Sequence, residues 1–211
     1  MTRGPKDIPA SAAQKLATAE SRRDASARSF GGLYLFRFGF SVVWVASVLS
    51  LAPSKAVGAT PSAPAGILLV VYPVSDTVAT VFDIRATRAA PRLPQYINLV
   101  SGIAAACGVF IAVLSGLAAA ITIFGAWAVV SGALQLILAA RRRKVLGGQW
   151  LMIISGAGSI FAGITFISRT GSSGTGLATL AQYSAGGAIW YLLTAFWLLR
   201  SVRSSPIIPQ G

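Results

Sequence analysis

Six apolar runs, each bounded by charged or small polar residues, set the pattern of this chain. They are residues 33–51, 66–83, 96–114, 117–140, 150–167 and 177–199. Each is close to the length of about 20 residues that a helix needs to cross a bilayer. The clearest pair is LAAAITIFGAWAVVSGALQLILAA and QWLMIISGAGSIFAGITFIS, joined by the basic turn RRRKVLGG. No charge interrupts the chain from Ile97 to Ala140. A single helix of that length would reach roughly 65 Å, twice the hydrocarbon thickness, so the chain must turn back. Ser115-Gly116 is the small polar break near its middle. The predicted fold is all-α: a polytopic membrane protein of six transmembrane helices in three antiparallel hairpins. Ten-residue alternating segments, the mark of a membrane barrel, are absent.

Charge fixes an expected orientation. Sixteen of the eighteen Lys and Arg fall on one side of the alternating spans. They are those of the first 29 residues with Arg37, then Arg85, Arg88 and Arg92, the 141–144 turn, and Arg200 with Arg203. Lys55 and Arg169 fall on the other side. The positive-inside rule places the rich side, and both termini, in the cytoplasm. The expected location is the bacterial cytoplasmic (inner) membrane, multi-pass. Residues 1–29 carry no run of large apolar residues and are expected to be a mostly disordered basic tail, with a helix over Ala10–Ala27 against the membrane surface as the alternative. The six-helix domain is read as 30–201, with 202–211 a short cytoplasmic tail. A cleavable signal peptide is not expected, because the tail is too long and the first run long enough to span.

Composition narrows the chemistry. The chain is 55% hydrophobic and 11% charged, with a net charge of +13. That charge invites a nucleic-acid reading, but the basic residues sit at the ends of apolar runs. Membrane orientation and lipid phosphate explain them, so nucleic acid is not an expected partner. There is no histidine, which removes the commonest general base and metal ligand. No enzyme activity, metal or cofactor is expected. Cys107, the single cysteine, lies in an alanine-rich run and reads as a small buried hydrophobe.

The second run, GILLVVYPVSDTVATVFDIR, is the unusual one. Tyr72, Asp76, Thr80 and Asp83 recur at helical spacing on one face. Pro73 cannot donate to the turn before it, so a kink and a loosened carbonyl near Leu69 are expected. Asp76 lies near mid-membrane, where an ionised group costs about 2.5–3.5 kcal/mol and must face the bundle, find a partner or stay protonated. Arg37 lies about 9 Å inside the first span, with Asp76 about 13 Å and Asp83 about 3 Å in from Arg85. The arginine therefore sits between the two acids in depth. Asn98 and Gln135 fall in the same leaflet. Two readings of this cluster stand: a structural pairing of Asp76 with Arg37, which is favoured, and a proton- or ion-responsive carboxylate in a small transporter or channel.

Small residues four apart predict close helix packing. They include Gly102 with Ala106, Ala128 with Gly132, and Ser155 with Ser159 and Gly163, and Gly125 lies on the same face as Ala128 and Gly132. Arg141, Arg142, Arg143 and Lys144 are expected to set topology and to contact anionic headgroups on the cytoplasmic side. The glycine-rich stretch Gly171–Gly176 lacks the lysine and the preceding strand of a phosphate loop and reads as a connection. Whether the chain forms a homo-oligomer is left open by the sequence.

The fourth and fifth runs resemble the HdeD-like family of small bacterial membrane proteins. The residues that carry the resemblance are Gly125-Ala126-Trp127, Ser131-Gly132, the 141–144 turn, Trp150, Ser155-Gly156, Ser159-Ile160 and Ala162-Gly163. The resemblance implies repeated short helical segments, usually six spans, and an association with acid or stress resistance. It brings no catalytic residues. The segment from Tyr72 to Asp83 lies outside it.

Overall fold

A computed structural model describes residues 9–51, 60–86, 92–144, 149–170 and 176–203. Six helices account for nearly all of them, and no strand occurs among the described residues. They are α1 (Ala10–Leu51), α2 (Ala63–Ala86), α3 (Leu93–Ser115), α4 (Leu117–Arg142), α5 (Gln149–Arg169) and α6 (Leu177–Arg203). All six contain a stretch long and apolar enough to cross a membrane. Their outward faces carry large apolar side chains, among them Phe110, Leu114 and Phe161. Much of the polar surface is instead turned inward, including Asp76, Thr80, Asp83, Gln95, Asn98 and Thr194. An apolar exterior around a polar interior suits lipid rather than water.

Each helix packs on its neighbour in the chain and α6 returns to α1, closing a ring. The α4–α5 and α1–α6 pairings are the most extensive. Between α3 and α4 a single residue, Gly116, makes the break. Its φ of 115° lies where side chains are rarely tolerated, and no other positive φ occurs among the described residues. The Ser115-Gly116 break expected from the sequence is therefore a one-residue reversal point.

Where the sequence favours a disordered tail, with a helix over Ala10–Ala27 as the alternative, the chain is helical from Ala10 onward and continuous with the first span. Two physical causes are visible. Residues 10–29 contain seven alanines and neither Gly nor Pro, a composition with high helix propensity. The far end of this segment is also packed: Ala27, Phe30 and Tyr34 join Ala195 and Leu198 of α6 in an apolar cluster. Residues 1–8 and 204–211, and with them most of the expected C-terminal tail, lie outside the described residues. So do Lys55, Arg88 and the stretch 171–175.

The glycines of α4 and α5 meet backbone to backbone. A Cβ built on Gly132 would lie 2.6 Å from the Gly156 carbonyl oxygen, and one on Gly163 would lie 2.5 Å from that of Gly125. The step from 125 to 132 equals that from 156 to 163, two helical turns, so the same contact recurs along the pair. Ser155 of α5 is buried, and Ser159 sits beside Gly132 in this seam. Gly102 makes a different close contact between α2 and α3, facing the Thr77 side-chain hydroxyl and not backbone. Such close approach supplies packing and short-range attraction where lipid offers no hydrophobic drive between helices. Cys107 is exposed on the outside of α3, not buried. Its neighbours Gly102, Ala105 and Val109 take the inward positions of that helix.

Candidate functional site: a buried polar layer over an apolar plug

The interior divides into two zones. One is apolar and aromatic: Trp44, Leu69, Val109, Ile121, Phe124 and Leu180 are almost wholly inaccessible. Tyr72 stands at its edge, with ring centroids 4.7 Å from Trp44, 5.4 Å from Phe124 and 5.9 Å from Trp127. Trp44 was not singled out by the sequence pattern. Its indole N–H donates to the Leu68 carbonyl oxygen at 2.7 Å. That carbonyl lies one residue before Leu69, the position expected to lose its partner to Pro73. The helix continues through the proline. Within it, the Thr77 hydroxyl donates to the Pro73 carbonyl at 2.9 Å.

The other zone is polar and is built by α1 to α4 with Tyr191 of α6. Tyr72, Asp76, Thr80 and Asp83 all face inward from α2, as their spacing predicts. Arg37 of α1 meets Asp76, Nη1 to Oδ1 at 2.8 Å. The other carboxylate oxygen, Oδ2, accepts from Asn98 Nδ2 of α3 at 2.9 Å. The same amide nitrogen donates to the Thr80 hydroxyl at 2.6 Å. Arg37 also donates to the Tyr191 hydroxyl of α6 at 3.2 Å. One carboxylate thus links three helices directly and a fourth through its arginine. A charge-assisted pair whose remaining lone pairs are also bonded is the arrangement that makes burial of two charges tolerable.

Asp83 has a different partner from any the sequence suggested. Arg142, at the end of α4, turns inward and pairs with its Oδ1. The guanidinium also lies 4.3 Å from the ring centre of Phe30 on α1. Arg142 is thus turned into the bundle, whereas Arg141, Arg143 and Lys144 are exposed. In a run of four similar cations, the residue opposite the acid can be found only once the helix phase is known. Gln135 does not join the Asp76 network. It donates to the Met152 carbonyl at 3.3 Å, bracing α4 on α5. Ser159 does more than pack: its hydroxyl accepts from the Tyr183 hydroxyl of α6 at 3.0 Å.

Two cavities flank the Arg37–Asp76 pair. The larger, about 50 Å³, is bounded by Arg37, Asp83, Gln95, Asn98, Arg142 and Gln149 among others. The smaller, about 30 Å³, lies against Asp76, Tyr72, Trp127, Ser159, Tyr183 and Tyr191. Arg37, Ser131 and Gln135 line both, so the two spaces abut.

Fold and interior together define a helical membrane protein of six candidate spans, with two buried Arg–Asp pairs in one zone. Residues 99–168 match the model of a family described as a short repeat of unknown function (DUF308), about a third of the chain. No curated protein and no solved structure matches. The matched segment covers most of α3 and all of α4 and contains the paired glycines of the α4–α5 seam. Arg37, Asp76, Asp83 and Asn98 all lie outside it.

Proposed function

We propose that this chain is a non-catalytic multi-pass protein of the bacterial cytoplasmic membrane, HdeD-like in kind, acting as a small helical scaffold in stress or acid resistance. Its helices form three antiparallel hairpins with both termini cytoplasmic, and Arg141, Arg143 and Lys144 meet anionic headgroups there, at about 1 kcal/mol each. The observation that carries this reading is the fate of the two acids within the spans. Asp76 and Asp83 are each held by an arginine from another helix, Arg37 and Arg142. Groups committed in this way fasten a bundle. Deletion of the gene is expected to slow growth under acid or envelope stress, with recovery on re-expression of the full chain. Growth indistinguishable from the parent under both stresses overturns the stress assignment.

A second reading is a proton-coupled transporter or channel that uses Asp76 and Arg37. The cavities meeting at Arg37 favour it. Their small size and the apolar zone of Trp44, Leu69 and Phe124 beyond them weigh against passage through the protein.

A further inference from the structure

Several polar atoms of the interior are unmet by protein, and they border the same two cavities. Gln95 is 2% exposed and Asn98 7%. The side-chain oxygens Gln95 Oε1 and Asn98 Oδ1 have no hydrogen-bond partner among the described residues, and both side chains line the larger cavity. For Asn98 the orientation is fixed by chemistry: a carboxylate only accepts, so the NH2 must face Asp76 and the oxygen must face away. Arg37 Nε is unmet in the same region. Trp127 Nε1 is unmet as well, and its ring borders the smaller cavity.

Leaving a buried donor or acceptor without a partner costs about 1–3 kcal/mol. The four atoms just named are two acceptors and two donors. A cation would satisfy only the acceptors and an anion only the donors, whereas water does both. A water centre needs roughly 10–15 Å³. Spaces of about 50 and 30 Å³ therefore take a short file of waters and no organic solute of ordinary size.

The geometry points to a one-ended water channel. Its lining runs from Arg142 at the end of α4 and Gln149 at the start of α5, past Arg37, Ser131 and Gln135, to Tyr72 and Trp127, and its single mouth is assigned to the Arg142–Gln149 end. Beyond those rings Trp44, Phe124 and Leu69, all almost wholly buried, pack the apolar zone. Water would reach the Arg37–Asp76 pair from one face of the membrane only. This goes beyond the fastening role and stands apart from it, since a fastened pair can be wet or dry.

Two tryptophans give a matched test in the unmodified chain. Trp127 borders the smaller cavity with its N–H unmet, whereas Trp44 is 1% exposed with its N–H bonded to Leu68. Radiolytic hydroxyl labelling of the full chain in lipid nanodiscs, read by mass spectrometry, should modify Trp127 at least several-fold faster than Trp44. In Ser131→Leu, which fills the junction of the cavities, Trp127 labelling should fall toward the Trp44 rate. Labelling of Tyr34, which borders the larger cavity, should hold. Gln135→Met, which strips polarity from the same junction, serves if Ser131→Leu does not fold, with the same expected drop. Equal protection of Trp127 and Trp44 in the unmodified chain overturns the channel. Undiminished Trp127 labelling in a folded junction variant overturns its single entrance.

Discussion

Asp76→Asn should destabilise the folded bundle by about 3–5 kcal/mol, because it leaves Arg37 charged, buried and without its carboxylate. The side chain of Arg37 is 17% exposed and that of Asp76 10%, so solvent can relieve little of that cost. The double variant Arg37→Met with Asp76→Leu should recover most of the loss. Apolar replacement of a whole buried pair is often neutral, while removal of one partner is not. Asn98 keeps its bond to Thr80 in the double variant, which limits the damage to the rest of the network. Reversible unfolding in mixed micelles gives the comparison directly. Equal losses in the single and double variants would mean that the pair itself contributes nothing specific.

Gly163→Val should be the most damaging change in the α4–α5 seam. Its Cβ would lie 2.5 Å from the Gly125 carbonyl oxygen and 2.9 Å from the Val129 backbone nitrogen. Backbone cannot swing aside as a side-chain tip can, so the helices must separate, at a cost of about 1–3 kcal/mol or somewhat more. The same helix provides its control. A Cβ on Gly158 meets nothing within 4 Å, so Gly158→Val should leave stability nearly unchanged. The same micelle unfolding assay reads both, and a similar loss at the two positions would contradict the seam.

Much of the fold is legible in the sequence because lipid enforces simple rules. Run length located the spans, and the uncharged stretch from Ile97 to Ala140 demanded a reversal that Gly116 supplies with its φ of 115°. The inward face of α2 followed from helical spacing alone, since Tyr72, Asp76, Thr80 and Asp83 had to share one stripe. What stayed hidden depends on how helices are rotated against each other. Nothing in the RRRK run distinguishes Arg142 from its neighbours until α4 is set against α2 and Phe30. Cys107 and Val109 are two apolar residues two apart, and helix phase decides that one faces out and the other in. Closure of the ring through α1 and α6 is a contact between the two ends of the chain, which local pattern cannot register. The helical extension of α1 was obscured for another reason: polar composition suggested a tail, while alanine content and contact with α6 favoured helix.

A buried Arg37–Asp76 pair that only fastens the bundle carries no ions through it. Fluorescent pH readout in liposomes containing the purified full chain, under an imposed proton gradient, tests this most directly. Proton flux should be no greater than in protein-free liposomes, both for the unmodified chain and for a folded Arg37→Met/Asp76→Leu variant. Flux above that background in the unmodified chain, abolished by the double substitution, would contradict it.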